Sequence, residues 1–545
     1  MSTSANTPVN TQQAARFDPM TLEVLWTRLR SITDEAAKVI VRTSFSTLSI
    51  EANDYSCVLT DANGGSLAQN TASIPSFIGT LPATVRHMLR EIGRANMRSG
   101  DVYVTNNPWM GTGHLNDISL VKPVFAAGRL VAFAATTSHV PDIGGRIRSA
   151  EPREIYEEGF HIPPMRLIAA GKPDETFILL LRTNVRTPDQ TVGDVFAQVS
   201  ALELMDARVL ELLHDHGLID FEDLASQLFD LAETAMRAAI RALPEGTYRF
   251  EFQTDGLEEP FTFKTAVTVK DGAIRADFAG TSPQQPRAIN CVMAYTYAMT
   301  AYAIKAALLP ELPNNEGMFR PISVIAPEGC LLNPRHPAPT GGRSAVGHYV
   351  PTLIYGALSG IIPERIIAAC GSPLWIVTVS GVRDNGTSFA NVLFYNGGMG
   401  ATAQKDGESA LSWPSNISST PSEIIERDTP FFTHHKRLLP GTGGTGQFRG
   451  GLGQEVLLEN RHPTPLACVF IVERLKFSAP GMAGGGAGAC GEVHLNGAPI
   501  ADTRKQLILS RGDRLLLRTP GGGGYGNPAL RAAEAISRDH GLGYA

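Results

Sequence analysis

The sequence predicts a multidomain protein of mixed α and β structure, in which amphipathic helices accompany antiparallel sheets and the C-terminal part is glycine-rich and β-rich. The chain has 545 residues, which is enough for several domains. Apolar residues recur at helical spacing in some segments and alternate with polar residues in others. After about residue 440, glycine and short strands between turns dominate.

The first predicted domain, residues 18–244, carries the metal site described below and follows a loose polar tail of residues 1–17. Apolar residues at helical spacing predict its helices, and short apolar runs beside turn signals such as Asn63-Gly64 predict its strands. The predicted elements are, in order, a helix over 21–44, strands over 55–60 and 65–69, strands over 118–121 and 130–135, and an antiparallel pair of helices over 193–216 and 220–243.

The second predicted domain, an α/β region over 245–440, begins where alternation replaces helical periodicity after Pro244. Its predicted elements are strands over 247–252, 261–269 and 274–278, followed by helices over 294–307 and 352–360. The third, residues 441–545, is a glycine-rich β region. Its glycine clusters match neither a P-loop nor a dinucleotide fingerprint, so we expect structural turns or loops that contact the substrate.

Composition excludes several classes of protein. With 47 basic and 53 acidic residues and a net charge of -6, the chain has no basic stripe, and we expect no nucleic-acid partner. No apolar run is long enough to span a membrane, and no signal peptide precedes the first helix. The 6 cysteines form no Cys-x-x-Cys pair. We therefore expect a cytoplasmic protein without a membrane segment.

A candidate metal site is formed by His114, Asp117 and His139. The strands over 118–121 and 130–135, joined by a turn at 127–129, form a hairpin that brings His139 back to the other two residues. Imidazole and carboxylate ligands suit zinc or manganese, and three protein ligands leave positions open for water or substrate. The alternative is that both histidines are ordinary polar residues at strand ends.

Motifs along nearly the whole chain after residue 18 resemble those of the hydantoinase B/oxoprolinase family. They include the run from Asn106 to Phe125, followed by Ser138 to Gly145, Glu157 to Pro164, Asn184 to Pro188, Asp277 to Ser282, Pro313 to Gly317, Arg449 to Gly453 and Thr519 to Gly526. Chance similarity rarely produces so many motifs in the same order.

The resemblance implies the B subunit of an ATP-dependent cyclic amidohydrolase that acts on a hydantoin, 5-oxoproline or a lactam. In such enzymes a partner A subunit uses ATP to phosphorylate the substrate, and the B subunit hydrolyses the activated ring at a divalent metal, here expected to be zinc or manganese. An A2B2 hetero-oligomer is expected. Two alternatives remain: a subunit of a ketone carboxylase of the acetone or acetophenone type, and a non-catalytic structural subunit.

The resemblance also implies four metal ligands, namely Asp54, His114, Asp117 and His139. Two positions depart from the family pattern. Ala52 stands where an arginine is usual, and residues 146–149 replace a common Pro-Gly-Ser segment with Arg-Ile-Arg-Ser. The second departure leaves the choice of substrate open.

Further candidates are chosen by their place in the sequence near these motifs. Asp142 and Glu158 are predicted catalytic residues, with orientation of a ligand histidine as the favoured role for Asp142. Arg186 is a predicted contact for substrate phosphate or carboxylate, and a structural ion pair is its alternative. Cys57 follows the predicted ligand Asp54 by three positions, but a buried thiol is the expected role for it.

Overall fold

The computed structural model describes residues 17–372, 374–383 and 385–544. Within these residues the strands form sheets of seven, four, four and five strands, nearly all of them antiparallel, with helices packed against them. The predicted mixed, multidomain fold is thereby confirmed. Apart from Phe17, the predicted N-terminal tail lies outside the described residues.

The first sheet is built on the two predicted hairpins. Its strands are β1 (Tyr55–Asp61), β2 (Ser66–Gln69), β3 (Val102–Thr105), β4 (Asp117–Ala126), β5 (Arg129–His139), β6 (Met165–Ala169) and β7 (Lys172–Pro173). They lie in the order β2-β1-β5-β4-β3-β6-β7. Strands β4 and β5 are longer than predicted, because their pairing runs from Asp117 and His139 at the open end of the hairpin to Ala126 and Arg129 at the turn.

The helices of this region are α1 (Pro19–Thr43), α2 (Thr47–Ile50), α3 (Thr80–Ile92), α4 (Glu175–Asn184), α5 (Pro188–Asp215) and α6 (Glu222–Arg241). The carboxylate of Asp18 accepts hydrogen bonds from the first backbone amides of α1, which fixes where that helix begins. Helix α5 packs along α1 and on β4 and β5. Buried residues of α5 and of the first part of α6, such as Leu212 and Leu224, belong to one apolar core, and α6 also packs against α8. The antiparallel pair of helices stays a prediction.

The second sheet follows α6 directly, as the change of periodicity at Pro244 predicts. It contains β8 (Gly246–Thr254), β9 (Phe261–Lys270), β10 (Ala273–Asp277) and β11 (Ile322–Ile325), and the last of these runs parallel to β10. Four helices accompany it: α7 (Met293–Leu308), α8 (Glu316–Phe319), α9 (Ser344–Gly347) and α10 (Val350–Leu358). Helix α6 contacts α8 and β10, and α10 packs on β8 and β9, so this sheet has its own apolar core.

The remaining strands form two sheets around a third core. Their elements are β12 (Trp375–Val382), β13 (Ser388–Tyr395), α11 (Ser422–Asp428), β14 (Phe431–Leu438), β15 (Gln454–Asn460), β16 (Leu466–Ile471), β17 (Glu492–Leu495), β18 (Ala498–Pro499), β19 (Leu507–Leu509), β20 (Arg514–Arg518) and α12 (Ala533–Gly541). The sheet orders are β13-β12-β16-β19 and β14-β15-β20-β17-β18. Strands before residue 440 pair with strands after it, so the predicted boundary at 440/441 does not separate these sheets.

The C-terminal glycine clusters pack backbone against backbone. A Cβ atom on Gly450 would lie 1.9 Å from the carbonyl oxygen of Gly522, and one on Gly521 would lie 1.8 Å from that of Thr442. The amides of Gly522 and Gly524 donate to backbone carbonyls at 3.0 and 2.9 Å. These amides are therefore used within the protein, in agreement with the structural role expected for the clusters.

No helix in the described ranges is both long and apolar enough to span a membrane.

Candidate metal centre

Three neighbouring strands of the first sheet end at the predicted metal site. Asp117 opens β4 and His139 closes β5, and the two are direct cross-strand partners. Asp54 immediately precedes β1, and its carbonyl oxygen accepts a hydrogen bond from the His139 amide at 3.0 Å. Because β1, β5 and β4 are adjacent, their ends place three of the four predicted ligands side by side.

The fourth predicted ligand, His114, lies in the loop that enters β4. The side chain of Asn106 holds this loop, since its Nδ2 donates to the carbonyl of Leu115 at 2.8 Å and its Oδ1 accepts from the amide of Ile162 at 2.7 Å. Gly113 has a φ of 103°, and a Cβ atom there would lie 2.7 Å from the side chain of Arg343. Glycine at this position thus lets an arginine from a distant segment approach the site.

Three donor atoms converge within the site. Nε2 of His114 lies 2.7 Å from Oδ1 of Asp117, and Nδ1 of His139 lies 2.8 Å from the same oxygen. The two ring nitrogens are 3.2 Å apart. Ligand atoms that share one ion at about 2.0–2.2 Å lie roughly 3 Å from one another, so these three atoms suit a common cation.

Asp54 lies at the edge of this group. Its Oδ2 is 4.0 Å from Nδ1 of His139, which is longer than the distances within the group of three. Burial raises the pKa of Asp54, although the nearby His139 opposes the shift. A cation between the two buried carboxylates would remove the unfavourable charge.

The protonation of His114 suits a ligand. Burial and then the charge of Arg343 lower its pKa well below the usual value, so the ring is neutral at physiological pH. Its Nδ1 lies 3.2 Å from the carbonyl oxygen of Gly341. Nη1 of Arg343 also lies 3.0 Å from Nδ1 and can only donate to it. If Nε2 held an ion, the ring proton would be on Nδ1, which would then donate to the Gly341 carbonyl, as ligand histidines commonly do.

Arg343, which is only 5% exposed, comes from the segment before α9. Its Nη2 donates to Oδ2 of Asp117 at 2.7 Å, and its Nε donates to the carbonyl of Thr112 at 2.6 Å. Burial alone would raise the pKa of Asp117, but His114 and Arg343 together lower it well below its usual range. The carboxylate therefore remains charged and presents its other oxygen, Oδ1, to the convergence point.

A second arginine, Arg148, lies on the other side of His139. Its Nη1 is 3.3 Å from Nε2 of that ring, and its Nε donates to the carbonyl of Gly341 at 3.1 Å. Burial, with the repulsion of Arg343, lowers the pKa of Arg148 to about 10, so the guanidinium stays charged at neutral pH. Gly341 thus joins Arg148 and His114 through one carbonyl oxygen.

The predicted catalytic residue Glu158 also contacts Gly341. Its Oε1 accepts a hydrogen bond from the Gly341 amide at 2.7 Å, and its Oε2 is buried without a hydrogen-bond partner among the described residues. The residue is 7% exposed, and burial raises its pKa to about 7. A carboxyl group with such a pKa can take up or release a proton near neutrality.

Asp142 and Arg186, predicted as a catalytic and a substrate-binding residue, pair with each other. Nη1 of Arg186 donates to Oδ1 of Asp142 at 2.6 Å, and the Arg186 amide donates to Oδ2. Oδ2 also accepts from the amide of Gly144 at 3.3 Å. This geometry matches the structural alternative for Arg186. Both Asp142 oxygens are thus engaged away from His139, whose Nε2 faces Arg148 instead.

Cys57 is fully buried in β1, and burial raises the pKa of its thiol. A thiol that stays protonated at neutral pH is a weak nucleophile. This environment agrees with the buried structural role expected for Cys57.

The sequence patterns do not identify Arg343 or Gly341 as part of the site. Both lie more than 200 positions beyond His114 in the chain, and neither stands near a motif that indicates metal chemistry. Arg148 stands out in the sequence only as a departure from the family pattern. A buried arginine next to a glycine pair, as in Gly341-Gly342-Arg343, is a weak signal without the fold that brings it to β4.

Comparisons with known proteins agree with the resemblance. The model of the hydantoinase B/oxoprolinase family matches residues 18–528. The putative B subunit of a D-/L-hydantoinase from a Pseudomonas strain is 28% identical, over 96% of this chain and 93% of that protein. The crystal structure of the ATP-dependent caprolactamase of Pseudomonas jessenii has a TM-score of 0.88 and 28% identity, over 97% of this chain and 94% of that one.

A nucleotide-free structure of acetone carboxylase also has a TM-score of 0.88, at 20% identity, over 97% of this chain and 78% of that chain. At this identity the likeness shows a common fold and nothing further. The family match, in contrast, covers almost every element described above. The chain belongs to the hydantoinase B/oxoprolinase family.

Proposed function

We propose that this chain is the B subunit of an ATP-dependent enzyme that opens a cyclic amide: a hydantoin, 5-oxoproline or a lactam. The observation that carries the proposal is the convergence of His114, Asp117 and His139 at the ends of β4 and β5, with Asp54 beside them. Relatives are named as a hydantoinase component and as an ATP-dependent caprolactamase. Both names refer to enzymes that act on cyclic amides.

In this proposal a partner A subunit uses ATP to phosphorylate the amide oxygen, and this chain receives the activated ring. Asp54, His114, Asp117 and His139 would hold a zinc or manganese ion. When bound, such an ion would lower the pKa of a water molecule in the site and offset negative charge as phosphate leaves. The partner is expected to assemble with this chain as A2B2.

The chain's own residues supply the proton transfer and the orientation of the ligands. Glu158 has a free, buried oxygen and a pKa of about 7, so its carboxylate can accept the proton of the attacking water. Arg343 fixes the Asp117 carboxylate and leaves one oxygen for the ion. The Asp142–Arg186 pair braces the loop after β5 and takes no part in the chemistry.

The test uses the chain co-expressed with an A-type subunit. Wild type, His114→Ala and Asp117→Asn are compared for metal content by elemental analysis and for ATP-dependent opening of hydantoins, 5-oxoproline and caprolactam. We expect near-stoichiometric metal in wild type, and in both variants a loss of metal together with a decrease of about 100-fold or more in activity. His214→Ala, at a highly exposed histidine, is the control.

Two results would contradict the proposal. A wild type that binds no metal, or folded variants with full ring-opening activity, would exclude the proposed centre. Fixation of labelled bicarbonate without ring opening would instead identify a carboxylase component.

A further inference from the structure

A small cavity lies next to the metal centre and is lined by polar groups that the proposed mechanism leaves partly unused. Its polar lining consists of Asn116, Asp142, Arg146, Arg148, Glu158 and Thr378. Asp142 is paired with Arg186, and Arg146 is paired with Glu151 and Glu157. Thr378 comes from β12 in a different sheet, so the cavity forms where two parts of the fold meet. Its small size suits a single charged group of a substrate better than a whole ring.

Two of these groups, in the described part of the chain, lack the hydrogen-bond or ion-pair partner that a buried group of their kind usually has. Within residues 17–372, 374–383 and 385–544, the buried hydroxyl of Thr378 has no hydrogen-bond partner, and the residue is only 2% exposed. In the described part of the chain, Arg148 contacts a ring nitrogen and a carbonyl oxygen but forms no ion pair with a carboxylate. A half-buried guanidinium and a buried hydroxyl without such partners together favour an anion.

The net charge of the site also favours the binding of an anion. Two carboxylates, Asp54 and Asp117, lie near two guanidinium groups, Arg148 and Arg343, so these four side chains compensate one another. A divalent cation would add two positive charges, and the carboxylate of Glu158, which lines the same cavity, offsets only one of them when it is ionised. An anionic group of the substrate would restore neutrality in a site where an unbalanced charge is costly.

We propose that Arg148 and the Thr378 hydroxyl form an oxyanion subsite beside the metal centre, which binds a carboxylate or phosphate group of the substrate. The guanidinium offers paired N–H donors, a geometry that suits both kinds of oxyanion. The inference rests on the proposed function, because it assigns the substrate of that same centre. It predicts a preference for rings that carry a negative charge.

Binding of three probes to the full-length, metal-loaded chain tests the subsite by calorimetry. The probes are inorganic phosphate, 5-oxoproline, and 2-pyrrolidinone, which has the same ring as 5-oxoproline without the carboxylate. We expect Arg148→Gln to weaken at least one of the two anions by about 10-fold or more and Thr378→Val to weaken the same anion about 3-fold or more. Arg148→Lys should retain part of the affinity, and binding of the neutral ring should not change.

Arg153→Gln is the matched control. Arg153 follows Arg148 by five positions, is exposed and does not line the cavity. We expect this variant to bind every probe as wild type does. Weakening of phosphate alone would identify the phosphoryl group as the occupant, and weakening of 5-oxoproline alone would identify the ring carboxylate.

Equal affinity of wild type and Arg148→Gln for both anions, or no measurable binding of either anion by wild type, would overturn the subsite. Metal content is measured on the same samples. A wild type that lacks metal but binds an anion through Arg148 would contradict the proposed function and leave the subsite standing.

Discussion

Glu158 links the chemistry of the site to pH. It is buried, its pKa is raised to about 7, and its ordinary value is near 4.5. The folded state therefore binds this proton more tightly than the unfolded chain does. The resulting stabilisation is fully present below about pH 4.5 and is lost as pH rises through about 7.

We predict that Glu158→Gln becomes progressively more stable than wild type between pH 5 and pH 8. Glutamine keeps the acceptor for the Gly341 amide but carries no charge to bury. At pH 8 the free energy of unfolding of the variant should exceed that of wild type by about 3 kcal/mol. Apparent melting temperatures of metal-free wild type and variant across this pH range measure it.

Glu157→Gln is the control, because Glu157 is the next residue, is half-exposed and pairs with Arg146. Its difference from wild type should stay flat over the same range. A difference for Glu158→Gln that also stays flat would show that the Glu158 carboxyl is not buried as described.

The convergence of His114, Asp117 and His139 could be predicted from the sequence because the information is local. His114 and Asp117 are three residues apart, and a short hairpin returns His139 to them. Arg343 and Thr378 could not be predicted, since their approach depends on contacts between different sheets. The ion pair between Asp142 and Arg186 could not be predicted from the sequence either, because each residue taken alone is a reasonable functional candidate.

At the scale of elements, the strands that form hairpins follow the sequence most closely. Turn signals at Asn63-Gly64 and Asp271-Gly272 stand between observed strand pairs. The packing of the helices follows the sequence pattern less closely. The periodicity of α5 and α6 gives their lengths within a few residues, but it does not say which helix each one meets, and α5 in fact packs along α1.

The glycine loops permit a prediction about element packing. Gly450→Ala should lower the stability of the folded chain by about 3 kcal/mol or more, because the new Cβ would lie 1.9 Å from the backbone oxygen of Gly522. A backbone oxygen within a hydrogen-bonded loop cannot move aside as a flexible side chain can. Thermal unfolding and the yield of soluble protein measure the effect.

Gly541→Ala is the control, since no atom of the part of the chain that the structure describes lies within 4 Å of a Cβ atom at that position. It should melt within a few degrees of wild type. Equal melting of Gly450→Ala and wild type would show that the loops are less tightly packed than the structure describes.

At the scale of the whole molecule, the candidate metal centre lies where two cores meet. Its donor atoms come from the first sheet, whereas Gly341 and Arg343 belong to the segment that leads into α9 and the second core. Sequence patterns predicted the sheets one by one. They could not predict this junction, because periodicity describes the faces of an element and not its distant partner.

Metal binding should therefore stabilise more than the ligand strands. We predict that zinc or manganese slows hydrogen exchange both at the facing ends of β4 and β5 and over residues 340–347, because an ion held by His114 and Asp117 also fixes the carbonyl and guanidinium bonded to them. Exchange in α12, whose Asp539 pairs with Arg449 and Arg531 outside the site, should not change. His114→Ala with the same metal should show neither effect.

Protection confined to β4 and β5 would mean that the two cores are not coupled through the centre. No protection in wild type would mean that the three donor atoms do not share an ion.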